Sequence, residues 1–156
     1  MGGLLGLGGA LSSFARPNAP VSASEVLADK IKTAGITGAA FDLKAPALST
    51  VRVAVFGTGN RGQSLIDMLS WLVSEGHAEI TAISDINPEK VRKAEEQIRA
   101  FQSAAPAVFT GSDEAWQEAM RTEVADLALI CTPWELHTPM ALMAMNNGLH
   151  AASEVP

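Results

Sequence analysis

Thiol chemistry is nearly absent from this chain: Cys131 is its only cysteine, which excludes an internal disulfide and a cysteine-built metal site. Its three histidines are scattered, with no H-E-x-x-H or similar ligand spacing. Tyrosine is missing altogether and aromatics make up 5% of the residues, so no phenol is available as an acid or base. Positive charge is also scarce. Eleven Lys and Arg against 17 Asp and Glu leave a net charge of −6 without a basic cluster, which argues against nucleic acid as a partner. The apolar stretch at residues 1–15 is shorter than the roughly 20 residues of a membrane-spanning helix, so no stable membrane span is expected. What remains is 47% hydrophobic and 18% charged over 156 residues, enough for one globular domain with a proper core.

The most informative segment runs Val51-Arg52-Val53-Ala54-Val55-Phe56-Gly57-Thr58-Gly59-Asn60-Arg61-Gly62. A β-branched apolar strand leads straight into G-x-G-x-x-G, the pattern of a loop that lets a nucleotide diphosphate approach bare backbone at a helix start. Gly57 permits the tight turn, Gly59 leaves no side chain where phosphates come close, and Gly62 lets the following helix pack on the strand. Unpaired N–H groups and partial positive charge at the helix N-terminus favour the anion, and Arg61 beside them can meet a phosphate. Leu65, Leu69, Leu72 and Val73 then recur at helical spacing, and Gly76 closes that helix.

A second strand, residues 79–85, ends in Asp85, where a carboxylate can accept hydrogen bonds from adenosine ribose hydroxyls. Its distance from the glycines exceeds the roughly 20 residues of the simplest fingerprint, consistent with a longer first helix. A carboxylate there attracts a ribose 2′-OH and repels a 2′-phosphate, and Ile86-Asn87-Pro88 supplies no arginine. NAD is therefore expected rather than NADP. The alternative role for Asp85, capping a helix, is already filled by Asn87 followed by Pro88.

Downstream, Val91, Ala94, Ile98 and Phe101 mark a second helix face, and residues 107–110 read as a third strand. A short helix follows from Gly111-Ser112-Asp113, with Ala115, Trp116, Ala119 and Met120 inward, Trp116 as core. Residues 126–131 make a buried fourth strand ending in Cys131, read as a buried, inert thiol. Thr132-Pro133-Trp134-Glu135-Leu136-His137 leads into a helix with Met140, Met143 and Ala144 inward, and residues 149–153 form a fifth strand before Glu154-Val155-Pro156. Strands alternating with helices predict an α/β fold, a doubly wound parallel sheet of Rossmann type in the order 3-2-1-4-5. That plan normally adds a sixth strand, so the sheet reads as incomplete. Residues 51–156 are read as this domain and 16–50 as a leader and linker. Residues 1–15 are read as a partial export signal lacking its basic region. The twin-arginine route to the periplasm is the expectation, because folded export keeps a cytoplasmic cofactor bound; without export the protein is cytoplasmic.

Several ordered motifs now carry a resemblance over about residues 50–156: the glycine loop with Asn60-Arg61-Gly62, Asp85, Cys131-Thr132-Pro133 with His137, and Gly148 followed by Glu154-x-Pro156. The chain resembles the cofactor domain of the Gfo/Idh/MocA oxidoreductases. Relatives usually end this domain in Glu-Lys-Pro, the lysine contributing to catalysis near the nicotinamide; here Val155 replaces it. Trp134-Glu135-Leu136-His137 and Glu-Val-Pro are similar to the NAD-dependent glycosidases of glycoside hydrolase family 109, which read Trp-Glu-Trp-His at the first motif, so Leu136 is a departure. The resemblance implies cofactor contacts at Asn60, Arg61, Asp85, Thr132, Pro133, Trp134, Glu135, Leu136, His137, Glu154 and Val155.

For the full protein the resemblance implies hydrolysis of a terminal α-linked N-acetylgalactosamine. The steps are transient oxidation at sugar C3, elimination, water addition and re-reduction, with no NADH released. A C-terminal α+β substrate domain is expected beyond this chain, bringing the catalytic acid and base and a route to a homo-oligomer. The competing readings are an ordinary NAD-dependent sugar or polyol dehydrogenase, and a nucleotide-binding module without catalysis.

Overall fold

The computed structural model describes residues 47–120 and 125–155. The expected export signal, nearly all of the expected leader and Pro156 lie outside these residues.

Five strands form one parallel sheet: β1 (Val51–Phe56), β2 (Ala78–Asp85), β3 (Ala107–Thr110), β4 (Leu127–Ile130) and β5 (His150–Ser153). Their order, β3-β2-β1-β4-β5, is the one the alternating pattern predicts. Between them lie α1 (Asn60–Ser74), α2 (Pro88–Arg99), α3 (Ala115–Ala119) and α4 (His137–Asn146), with a short 3-10 turn at Trp134–Leu136. All four strand pairings are parallel.

The core divides by the pleat of β1. Val53 and Val55 join Ile66 of α1 and Val91, Ala94 and Ile98 of α2 in one cluster. Ala54 and Phe56 join Ala119 of α3 and Met140 and Ala144 of α4 in the other. Successive strand residues point to opposite faces, so helices cover both faces, and Val53 to Phe56 are all at most 1% exposed. That double covering makes β1 an unbroken apolar run rather than an alternating one.

The elements differ from the sequence expectation in places, each for a physical reason. The buried face of α1 carries Gly62, Ile66, Leu69, Leu72 and Val73, with Gly62 and Ile66 fully buried; Leu65 flanks it, because a 3.6-residue period centred on Gly62 selects Ile66. In β2 the register shifts between Val53 and Ala54 of its partner, whose pairs are Ile80 and Ala82. Thr81 is thus an extra, bulged residue, and the bulge lets Ile80 and Ile83 share one face while Ala82 takes the other. The fourth strand is shorter than residues 126–131, since Asp126 turns its carboxylate to the backbone N–H of Arg52 at 2.8 Å. Within it Ala128 and Ile130 are fully buried and Leu127 and Leu129 half-buried, whereas β5 has half-buried Ala151 and Ala152 between exposed ends and β3 at the other sheet edge is mostly exposed. The short helix begins at Ala115 rather than near Gly111.

Register brings the strand ends level. Phe56 pairs with Ser84 on one side and Ile130 on the other, and Ile130 pairs with Ser153. The residues that follow, Gly57, Asp85, Cys131 and Glu154, therefore stand along one edge of the sheet.

Candidate functional site

The glycine loop leaves β1 at the point where the sheet order reverses, between β1 and β4, where open parallel sheets form a crevice. Gly57 has φ +85°, and a Cβ there would lie 2.7 Å from the carbonyl carbon of Cys131. A Cβ on Gly62 would lie 2.0 Å from the carbonyl oxygen of Gly57. Both positions are closed to any side chain. Gly59 differs: its φ of −69° suits any residue, and an added Cβ would meet only Nζ of Lys90, at 3.8 Å. The space over Gly59 is open. No side chain caps α1 and no acid occupies its first turn, so its leading N–H groups are left for an anion.

Asp85 is half-buried at the end of β2. Its Oδ2 accepts from the backbone N–H of Thr58 at 2.8 Å and its Oδ1 from that of Asn87 at 2.9 Å. Capping of α2 is left to Asn87, whose Oδ1 accepts from Glu89 N–H at 2.9 Å. Asp85 thus ties the second strand to the glycine loop, a tie between residues 27 positions apart, and each carboxylate oxygen keeps a lone pair for a further donor. Beside it Thr58 is fully buried and its hydroxyl has no protein partner.

Beyond β4, burial pushes the Cys131 thiol up to about 11, with the Glu154 charge adding to the effect. The raised value keeps the thiol protonated near neutral pH, but Cys131 is only half-buried and lines the crevice at this edge, because β4 ends at Ile130 and leaves the next residue at the sheet edge. The expectation of a buried thiol is corrected to that extent. His137 Nε2 donates to the carbonyl of Thr132 at 2.8 Å, so this ring fastens the turn after β4. The Thr132 hydroxyl donates to Sδ of Met140 at 3.3 Å. Trp134 is 71% exposed and Val155 80%.

Arg61 and Glu154 are paired with each other: Nη2 donates to Oε1 at 2.8 Å. The hydrogen bond and charge of Arg61 hold the Glu154 carboxyl below its ordinary value. The arginine expected to meet a phosphate is instead bound to the carboxylate after β5, 93 positions away in sequence.

A crevice of about 640 Å³ opens along this edge, within the size range of small-molecule sites. Of the sequence-selected residues, Gly57, Gly59, Asp85, Thr132, Pro133, Glu135 and Leu136 line it. Asn60, Arg61, Gly62, Trp134, His137, Glu154 and Val155 do not line it. Sequence reasoning missed Ile86 and Lys90 on the β2 side and Ser112 and Asp113 after β3. It also placed Trp116 in the core; the indole packs on the core with one part and lines the crevice with another. Lys90 carried a usable signal, since it stands in the first turn of the helix after Asp85. Among the described residues no three His, Cys, Asp or Glu converge on a metal position, and no helix is long and apolar enough to cross a membrane.

Residues 51–156 match the model of an oxidoreductase family with an NAD-binding Rossmann fold, GFO_IDH_MocA. The chain is 40% identical over 114 residues to the alpha-N-acetylgalactosaminidase of Shewanella oneidensis, covering 73% of this chain and 24% of that protein. It is 39% identical over 115 residues to glycosyl hydrolase family 109 protein 1 of Phocaeicola vulgatus, covering 74% and 24%. To a family 109 protein of Streptomyces filamentosus it is 36% identical over 158 residues, covering 99% and 31%. It thus spans a quarter to a third of the length of these relatives. Among solved structures, the WlbA dehydrogenase of Chromobactrium violaceum in complex with NADH and UDP-GlcNAcA superimposes with a TM-score of 0.60 at 20% identity, covering 73% of this chain and 30% of that one. The myo-inositol dehydrogenase of Lactobacillus casei in complex with NAD(H) and myo-inositol does so at 0.55 and 25%, covering 69% and 29%.

Proposed function

The chain belongs to the Gfo/Idh/MocA oxidoreductase family, and from that premise we propose that it is the NAD-binding domain of a glycosidase acting on terminal α-N-acetylgalactosaminides. The observation that carries the cofactor half is the open backbone at Gly59, flanked by closed glycine positions and by Asp85 at the crevice wall. These residues fit a dinucleotide. The uncapped start of α1 receives its diphosphate, and the free lone pairs of Asp85 receive ribose hydroxyls in preference to a 2′-phosphate. Thr132, Pro133, Glu135 and Leu136 border the end of the crevice next to β4, where the nicotinamide and the sugar would meet. When bound, NAD supplies a hydride acceptor that takes hydride from sugar C3 and returns it, so that net hydrolysis consumes no cofactor.

The glycosidase half rests on the 36–40% identity to family 109 proteins and on Val155, which stands where relatives of the dehydrogenase type carry lysine. With valine there, the chain offers no amine at the end of β5. Export through the twin-arginine route belongs to the same proposal, and fractionation of the producing cell tests it. The decisive assay incubates the intact protein with an α-N-acetylgalactosaminide while sugar release and NADH absorbance are followed together. Free sugar without accumulating NADH, and exchange of the C2 proton with deuterated solvent, is the expected result. Stoichiometric NADH with an oxidised sugar would establish the dehydrogenase instead.

A further inference from the structure

We propose that Lys90, and not Arg61, supplies the positive charge that holds the diphosphate of a bound dinucleotide. The inference rests on the dinucleotide reading above and adds to it the residue that makes the crevice tolerate an anion.

The crevice is otherwise hostile to phosphate. Among the described residues its lining carries three carboxylates, Asp85, Asp113 and Glu135, and a single cation, Lys90. The N-terminus of α1 contributes only about half a positive charge, against roughly two negative charges on a diphosphate. Arg61 stands at the same helix start but is engaged by Glu154 at 2.8 Å and does not line the crevice.

Lys90, by contrast, is uncommitted among the described residues. It is exposed in the first turn of α2. The carboxylates of its own helix are taken: Arg92 binds Glu89 and Glu96, and Arg99 binds Glu95. Its neighbours at helical spacing, Ile86, Asn87, Lys93 and Ala94, offer no acid with which to pair. Its ammonium lies over the glycine loop, 3.8 Å from where a Cβ on Gly59 would stand. Of the three loop glycines, only Gly59 has free space above it. A flexible ammonium poised over open backbone can close on a phosphate that the backbone N–H groups bind from below.

Its position over Gly59 assigns Lys90 to the diphosphate rather than to a 2′-phosphate, and ligands that differ in one phosphate separate the two. The experiment measures equilibrium binding of NAD, NADP, ADP-ribose and adenosine to the intact protein, as wild type, Lys90→Met, Lys90→Arg and Lys93→Met. Lys90→Met is expected to weaken NAD and ADP-ribose about tenfold each, to leave adenosine unchanged and to reduce the salt dependence of NAD binding. Lys90→Arg should retain most of the affinity. Lys93→Met, which removes a charge from the same helix outside the crevice, should match the wild type. NAD affinity within twofold of wild type in Lys90→Met would overturn the assignment. So would a loss confined to NADP, which would move the charge to a 2′-phosphate. A wild type that binds neither NAD nor ADP-ribose would remove the dinucleotide reading itself, a result distinct from either.

Discussion

Adding one methyl group at Gly62 and at Gly59 should produce opposite failures. At Gly62 the new Cβ would sit 2.0 Å from the carbonyl oxygen of Gly57, roughly 1.4 Å inside an ordinary contact of 3.4 Å. The obstructing atom is backbone, on a loop held by Gly57 N–H donating to the Ser84 carbonyl at 2.7 Å and by Thr58 N–H donating to Asp85 at 2.8 Å. Relief requires either the loop or the start of α1 to move, straining or breaking those bonds. Overpacking of this kind costs about 1–3 kcal/mol, and each buried hydrogen bond lost adds about 1 kcal/mol. Alanine's better helix propensity returns about 1 kcal/mol. Gly62→Ala should therefore lose about 2 kcal/mol or more of stability, read as a lower urea midpoint. At Gly59 the backbone angle suits alanine and the methyl meets nothing closer than Lys90 Nζ at 3.8 Å. Its stability cost is that of a poorer N-cap, below about 1 kcal/mol. The methyl would, however, occupy the free space over the loop, and NAD affinity should fall at least about tenfold, by analogy with the loss of close backbone approach. A Gly62→Ala protein as stable as the wild type, or a Gly59→Ala protein that binds NAD normally, would refute this division of roles.

Asp85→Asn should weaken the tie between β2 and the glycine loop, because an amide offers one acceptor where two N–H groups now donate; the expected loss is about 1–3 kcal/mol, and the NAD-to-NADP affinity ratio should fall in the same protein. An unchanged ratio would remove Asp85 from cofactor discrimination. Asp126 carries a pH signature, since the hydrogen bonds and charge of Arg52 hold its carboxyl below the ordinary 3.8. A depressed folded-state value means that its contribution is fully present above the unfolded value and disappears as pH falls through the folded one. Asp126→Asn should thus be less stable than wild type at pH 7, by about 1 kcal/mol or less at this partly exposed site, with the gap closing below pH 3.8; urea titrations giving the same gap at pH 7 and pH 3 would contradict it. Cys131, raised to about 11, should be alkylated by iodoacetamide at pH 8 at least about tenfold more slowly than a free cysteine, whose ordinary value is about 8.5, the smaller thiolate fraction outweighing the greater nucleophilicity of each thiolate. Labelling at the rate of a free cysteine would mean that the thiol is not held protonated.

Much of the architecture was legible because it is written in short windows. Apolar runs ending in glycine, helical spacing at Val91, Ala94 and Ile98, and an Asn-Pro helix start are each local patterns. Alternation of strand and helix then leaves few orders for a parallel sheet. The observed order follows, and with it the placing of Gly57, Asp85 and the turn after β4 along one edge.

What tertiary structure alone decided lies between residues far apart in the chain. No window around Arg61 contains Glu154, yet the two form an ion pair across the sheet edge. The bulge at Thr81 exists because β2 must match β1 while sending Ile80 and Ile83 to the same face. Lys90 lines the crevice because α2 packs beside α1 and brings its first turn over Gly59, while Trp116, at the start of α3, packs on the core and lines the crevice together. Periodicity specifies which face of an element is buried, since that depends on the residue spacing within it. Which side chains meet across the sheet edge depends on register and on where each strand stops, and those are fixed only when all five strands pack at once.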